Sequence, residues 1–262
     1  MGQISIKLVD KEGKTLSIGR GENEVNLVYC APYQEGDRIF VDIGDQKGFY
    51  WLMLDDARGR SLVYLTGNIS YTIPFGEKRI NLSPNTFSGK RHLLWARKAY
   101  AFETEGYRNL SENLWDQHGD VNCYPHASAN VETRGESVFA AMNAVDGVTV
   151  TCCHGEWPYQ SWGINRREDA LLRIDFGRTV VADRIILYTR ADFPHDSWWD
   201  QATVMFSDGS SIVLPLKKSG NAQEFTFEEK EIEYLELGQL IKSEDPSPFP
   251  ALVQIQVYGR EK

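Results

Sequence analysis

At 262 residues, with 42% hydrophobic and 12% aromatic content, the chain has material for one large or two ordinary packed domains, which excludes a disordered protein. A net charge of -9 argues against an electrostatic grip on nucleic acid or an anionic membrane and favours neutral or cationic partners. No apolar run approaches the roughly 20 residues of a membrane helix, and the four cysteines, Cys152 and Cys153 adjacent, lack the spacing of a disulfide framework.

Met1 leads into Gln3-Ile4-Ser5-Ile6-Lys7-Leu8, an alternating strand with no basic-then-apolar leader before it. The expected location is therefore cytoplasmic, or extracellular if a leader has been trimmed away. Up to about residue 98 short strands follow one another, with turn chemistry between them. Lys11-Glu12-Gly13-Lys14 reads as a hairpin-like turn, Val25, Leu27 and Tyr29 alternate, and Glu35-Gly36-Asp37 precedes a second alternating run at Ile39, Val41 and Ile43. Residues 50–54, 61–65 and 69–73 repeat the habit, 76–89 reads as a long loop, and 92–100 as a closing strand or short helix. Such spacing predicts a β-sandwich.

Between residues 102 and 118 charges mix with little apolar period, and the expected boundary lies near Glu105: an N-terminal sandwich over 1–104 and a second domain over 105–262. Strands are expected at 171–176, 184–188, 201–206, 211–215, 224–227, 232–237 and 252–258, and a short helix at 138–143. The fold class is all-β.

Two loops in this second half concentrate aromatic and ionisable residues. The first is Cys152-Cys153-His154-Gly155-Glu156-Trp157-Pro158-Tyr159-Gln160-Ser161-Trp162-Gly163; the second is Arg190-Ala191-Asp192-Phe193-Pro194-His195-Asp196-Ser197-Trp198-Trp199-Asp200. They flank strand-like runs, so they are expected to meet at one end of a sheet, where a rigid scaffold holds a binding surface. Sugar recognition needs an aromatic face for the C–H side of a pyranose and polar groups around it for the hydroxyls. Trp157, Trp198 and Trp199 are the candidate faces. His154, Glu156, Asn165, Arg190, Asp192, His195 and Asp196 are the candidate polar contacts, while Trp162 is read as core. Trp198 and Trp199, being adjacent, point to opposite faces if extended, so one of them belongs to the core.

The second half also resembles the discoidin, or coagulation-factor type C, domains, which include many carbohydrate-binding modules. The resemblance rests on ordered motifs: Asn109-Leu110-Ser111, Ala127-Ser128-Ala129, Asn143-Ala144-Val145-Asp146-Gly147, Trp162-Gly163, Leu172-Arg173-Ile174-Asp175-Phe176-Gly177, Asp183-Arg184-Ile185-Ile186-Leu187-Tyr188, Phe206-Ser207-Asp208-Gly209-Ser210 and Ile255-Gln256-Val257-Tyr258-Gly259. It implies an eight-stranded jelly roll, non-catalytic, with sugar-binding loops at one end. It also implies a structural calcium ion at Asp146, although Gln254 stands where an acid is expected and calcium prefers carboxylate among its six to eight oxygens. The first half resembles no family we can name.

The leading expectation is a non-catalytic protein that binds a neutral carbohydrate, with homo-oligomerisation left open. One alternative is a glycan-active or metal-dependent hydrolase in the same cleft, pairing Glu156 with Asp192, Asp196 or Asp200, or gathering His118, Cys123, His126 and Cys152 around a metal. Another is a protein-interaction scaffold.

Overall fold

The computed structural model describes residues 3–119, 122–152, 154–191 and 197–262. Alternation in the N-terminal sequence puts one face of each strand inward: Ile4, Ile6 and Leu8 of β1 (Ile4–Val9) are buried, as are Ile39 and Val41 of β4 (Arg38–Asp42). With β2 (Thr15–Gly21) and β7 (Ile69–Thr72) these form a four-stranded sheet in the order β2-β1-β4-β7. Facing it across the core are β3 (Glu24–Tyr29), β5 (Gly48–Met53), β6 (Ser61–Leu65) and β8 (His92–Lys98), ordered β6-β5-β8-β3. The outer edge of β6 is completed from beyond Glu105, by β10 (Cys123–Tyr124), with Cys123 opposite Leu65 and Tyr124 opposite Tyr64. Trp115 and Cys123 lie in this first core, although Leu110, which precedes them, belongs to the second.

The second sandwich is built on two long antiparallel strands, β13 (Leu172–Thr189) and β16 (Gln223–Lys242). Residues 172–175 of β13 pair with β11 (His126–Ala129), and β14 (Trp199–Phe206) pairs with the C-terminal part of β16 and with β15 (Ser211–Pro215). Residues 180–189 of β13 pair instead with β17 (Ala251–Glu261), which also carries β9 (Arg108–Asn109) and β12 (Trp162–Gly163). Thus β13 and β16 each run through both layers. The ladder shifts between Asp175 and Val180, where the chain bends. This bend is why residues 171–176 and 184–188 read as two strands and fold as one.

The expected helix at 138–143 is not α-helical. Two 3-10 turns, Ser137–Phe139 and Ala141–Val145, flank an extended Ala140. Other partners take the backbone groups there: Ala141 donates its N–H to Glu132 Oε1 at 2.7 Å and Ser161 donates to the Val138 carbonyl at 3.0 Å. Among the described residues no helix is long and apolar enough to cross a membrane.

The two sandwiches touch at Gly177. Its φ is +67°, and a Cβ there would lie 2.4 Å from the Tyr124 ring, so the position needs glycine twice over. Next to it the Arg178 guanidinium lies 4.6 Å from the centre of the Phe49 ring, and Arg178 shares Glu261 with Arg108. Burial alone would raise the Glu261 carboxyl, but hydrogen bonds from Arg178 and Arg108 hold it below the usual range.

Candidate functional site

At one rim of the second sandwich β13 ends, β17 begins and β12 lies against β17. Arg190 N–H donates to Ala251 O at 3.1 Å, and Gly163 pairs with Ala251. The described ends of the two sequence-predicted loops therefore meet at β17, on β12 and β13, the strands that flank it. Between them is a cavity of about 290 Å³ lined by Thr133, Arg134, Phe139, His154, Tyr159, Gly163, Ile164, Asn165, Arg166, Arg190 and the Pro248-Phe249-Pro250-Ala251 run.

Its walls are three arginine–aromatic pairs. The Arg190 guanidinium lies 4.4 Å from the centre of the Tyr159 ring, Arg166 lies 4.4 Å from Phe249, and Arg134 lies 5.7 Å from Phe139. A guanidinium near a ring face is attracted by the ring's negative face, and its N–H groups lie along its own edge. Arg134 gives that edge to Glu136, Nε to Oε1 at 2.6 Å and Nη2 to Oε2 at 2.8 Å. Tyr159 is held from both sides, by Phe139 edge-on at 5.9 Å and by the His154 ring at 4.8 Å. Gly163 admits no side chain, since a Cβ would meet Thr133 Oγ1 at 2.6 Å.

Backbone strain converges on this pocket. Among the described residues five non-glycine positions have positive φ, and three line it: Arg134 (54°), Asn165 (49°) and Arg166 (61°). The two arginines each bear a cost on the order of 1–2 kcal/mol, and Asn165, a residue type that enters this region more readily, bears less. Such cost is retained where side chains must be aimed. Here it turns Arg166 toward Phe249, while Asn165 N–H is tied to Thr133 Oγ1 at 3.0 Å.

The sequence-predicted residues fall into four groups. His154, Asn165 and Arg190 line the pocket, Arg190 with only 3% exposure. Glu156 and Trp157 are exposed on the same loop but are not among the lining residues, and Trp198 is half-buried beneath Lys218, whose Nζ is 4.8 Å from its ring. Trp199 is a correction. It is 1% exposed within the core of the second sandwich and presents no face to a ligand, because β14 turns alternate side chains inward. Asp192, His195 and Asp196 lie outside the described residues. Trp162 is core, its indole N–H donating to Val131 O at 2.9 Å.

Of the metal alternatives, His118 and His126 line one cleft, and each is bonded to a carboxylate. His118 bonds Glu132 at 2.8 Å, His126 bonds the buried Asp116 at 2.7 Å, Cys123 is in the first core and Cys152 is exposed. Among the described residues no three His, Cys, Asp or Glu side chains gather as a metal site.

The calcium implied by the resemblance does not fit the residues around Asp146. Gln254 turns its Nε2 to Asp146 Oδ1 and to the Asn143 carbonyl, both at 2.6 Å, and its Oε1 accepts from Gly147 N–H at 3.2 Å. Gln160 Nε2 reaches Asp146 Oδ2 at 2.9 Å, and Val148 N–H reaches Oδ1 at 2.9 Å. Amide hydrogens thus meet the oxygens that would face a cation, and one carboxylate is far from the oxygen cage calcium takes.

Burial pushes Asp146 up to about 6, against the lowering effect of the Arg58 charge and these hydrogen bonds. A raised native value means that the folded chain holds the proton more tightly than the unfolded one. The stabilisation is full below the unfolded value near 4 and is lost as pH rises through about 6, on the order of 3 kcal/mol in all. Urea midpoints of the wild type should fall over that window, and those of Asp146→Asn should fall less. Parallel profiles would assign the dependence to other groups.

Comparison with known proteins adds little to this geometry. A family model, described as a domain of unknown function (DUF7402), matches residues 122–244. No curated protein matches the chain. Among solved structures, chitosan-binding module 1 of a chitosanase/glucanase from Paenibacillus sp. IK-5 is 17% identical, with 58% of this chain and 98% of that one covered at a TM-score of 0.41. The lectin domain of lectinolysin, solved with Lewis B antigen, is 18% identical over 59% of this chain and 97% of its own, at 0.44. The family 32 module of C. perfringens NanJ, solved with galactose, is 17% identical over 50% and 91%, at 0.37.

Proposed function

We propose that the protein binds a saccharide, without chemical conversion, in the rim pocket of its second sandwich. The observation that carries this reading is the meeting of three arginine–aromatic pairs with His154 and Asn165 around one cavity whose backbone is strained at three points. Ring faces and alkyl surface from Phe249, Pro248 and Pro250 suit the C–H side of a sugar, and guanidinium, imidazole and amide edges suit its hydroxyls. The ordered discoidin-like motifs, a resemblance that implies sugar-binding loops at one end of a jelly roll, support the same reading.

Phe249 is 43% exposed, so its truncation tests the pocket without disturbing the core. On a glycan array followed by calorimetry, the wild type should select a small set of saccharides. Phe249→Ala should weaken the best of them about tenfold or more, and Val213→Ala, on exposed β15, should leave it unchanged. Release of reducing ends from a bound glycan would replace binding by hydrolysis, and an empty array would defeat the proposal.

A further inference from the structure

The four-stranded sheet of the first sandwich turns a grooved face to solvent. In β1 the inward Ile4, Ile6 and Leu8 alternate with Ser5 and Lys7 on the outer face. Register sets their neighbours: Ser5 lies between Arg20 of β2 and Asp42 of β4, and Lys7 lies between Ile18 and Phe40. Ser5 is the smallest of these six side chains, so the middle of the face is low and its flanks are high. The result is a groove of about 570 Å³ whose floor follows β1 from Gln3 to Lys7, a span of roughly 13 Å at the rise of an extended chain. Both signs of charge are open in it. Arg20 and Asp42 stand about 10 Å apart across β1, and among the described residues Lys7, Arg20 and Asp42 join no ion pair. Lys7 Nζ lies 5.4 Å from the centre of the half-buried Phe40 ring, and Ile18 is 36% exposed on the opposite wall.

We infer that this groove is a second saccharide site, which takes a neutral, unbranched oligosaccharide lying along β1. A cationic ligand would meet Lys7 and Arg20, and an anionic one would meet Asp42. A hydroxyl both donates and accepts, so a row of hydroxyls satisfies the ammonium, the guanidinium and the carboxylate together. Phe40 and Ile18 offer the C–H groups of the sugar an apolar surface. The groove is independent of the rim pocket, which belongs to the other sandwich and shares no lining residue with it. Two sites on one chain hold a polymer more firmly than either does alone, because engaging the first raises the effective concentration of polymer at the second.

The test is calorimetry of the full chain against neutral glucan, xylan and mannan oligomers, with an oligogalacturonate as the acidic control. At least one neutral oligomer should bind the wild type and Phe249→Ala within about twofold of each other, and should lose about tenfold or more on Phe40→Ala and on Arg20→Ala. Arg20 is exposed on an edge strand, so its truncation leaves the core untouched, and circular dichroism checks the fold of Phe40→Ala. Neutral oligomers that are all indifferent to both substitutions, or that all fail to bind, overturn the inference. An oligogalacturonate that loses more on Phe40→Ala than any neutral oligomer overturns the assignment to a neutral ligand. Loss of all binding on Phe249→Ala alone overturns the groove and leaves the rim pocket standing. Binding that every sugar loses on Phe40→Ala and keeps on Phe249→Ala does the reverse.

Discussion

Gln254→Glu is expected to destabilise the folded chain by on the order of 3–5 kcal/mol in metal-free buffer, and millimolar calcium is expected to return much of the loss. In the wild type, Gln254 gives one hydrogen to Asp146 and the other to the Asn143 carbonyl. Glutamate removes both donors and sets a second carboxylate against Asp146, which burial already pushes up to about 6. Two carboxylates beside a backbone carbonyl are the beginning of a calcium site. Thermal melts of both proteins in chelator and in calcium decide the matter. The wild type should melt at one temperature in either buffer, and a wild-type midpoint that drops on chelation would show that the amide network does not replace the ion.

Trp115→Ala should cost about 3–5 kcal/mol, the range for deleting a large buried aromatic. Trp115 is 1% exposed, donates its indole N–H to Leu52 O at 3.0 Å and meets Tyr71 edge-on at 5.9 Å, all within the first sandwich. Its neighbours reach the other way. Asn113 N–H donates to Val145 O at 2.9 Å and Asn113 Nδ2 to Pro125 O at 2.8 Å, while its Oδ1 accepts from Trp115 N–H. The substitution should therefore lower a single urea transition followed by both near-ultraviolet circular dichroism and intrinsic fluorescence. A loss below about 1 kcal/mol would mean that the indole is not a structural anchor.

Most strands were legible because half-buried strands alternate, as Ile4, Ile6 and Leu8 do. β2 was not, since its alternation is confined to Leu16 and Ile18, which are exposed at a sheet edge and are followed by Gly19 and Gly21. The turns at 137–145 were misread because Phe139, Ala140, Ala141 and Met142 have helical composition, while the competing bonds come from Glu132 and Ser161, outside the local window. For the site, loop position and side-chain chemistry located His154, Asn165 and Arg190. The emphasis on tryptophan did not transfer, because large rings serve cores as readily as ligands, and Trp162 and Trp199 do so here. Arg134, Arg166 and Phe249 come from turns far apart in the chain that meet only through the pairing of β12 with β17. Phe249 alone left a local trace: an aromatic held between Pro248 and Pro250 just before a core strand.

β10 and Trp115 reach back across the nominal boundary, so the halves cannot be severed at residue 104 without injury to each. A fragment ending there would bare the hydrogen-bonding edge of β6, an open invitation to intermolecular pairing, and would leave a hollow where the indole sat. The complementary fragment would carry that indole into solvent. Grafting the pocket onto another protein therefore calls for transplanting the whole chain, and a shuffled gene cut between the two sandwiches would yield insoluble product.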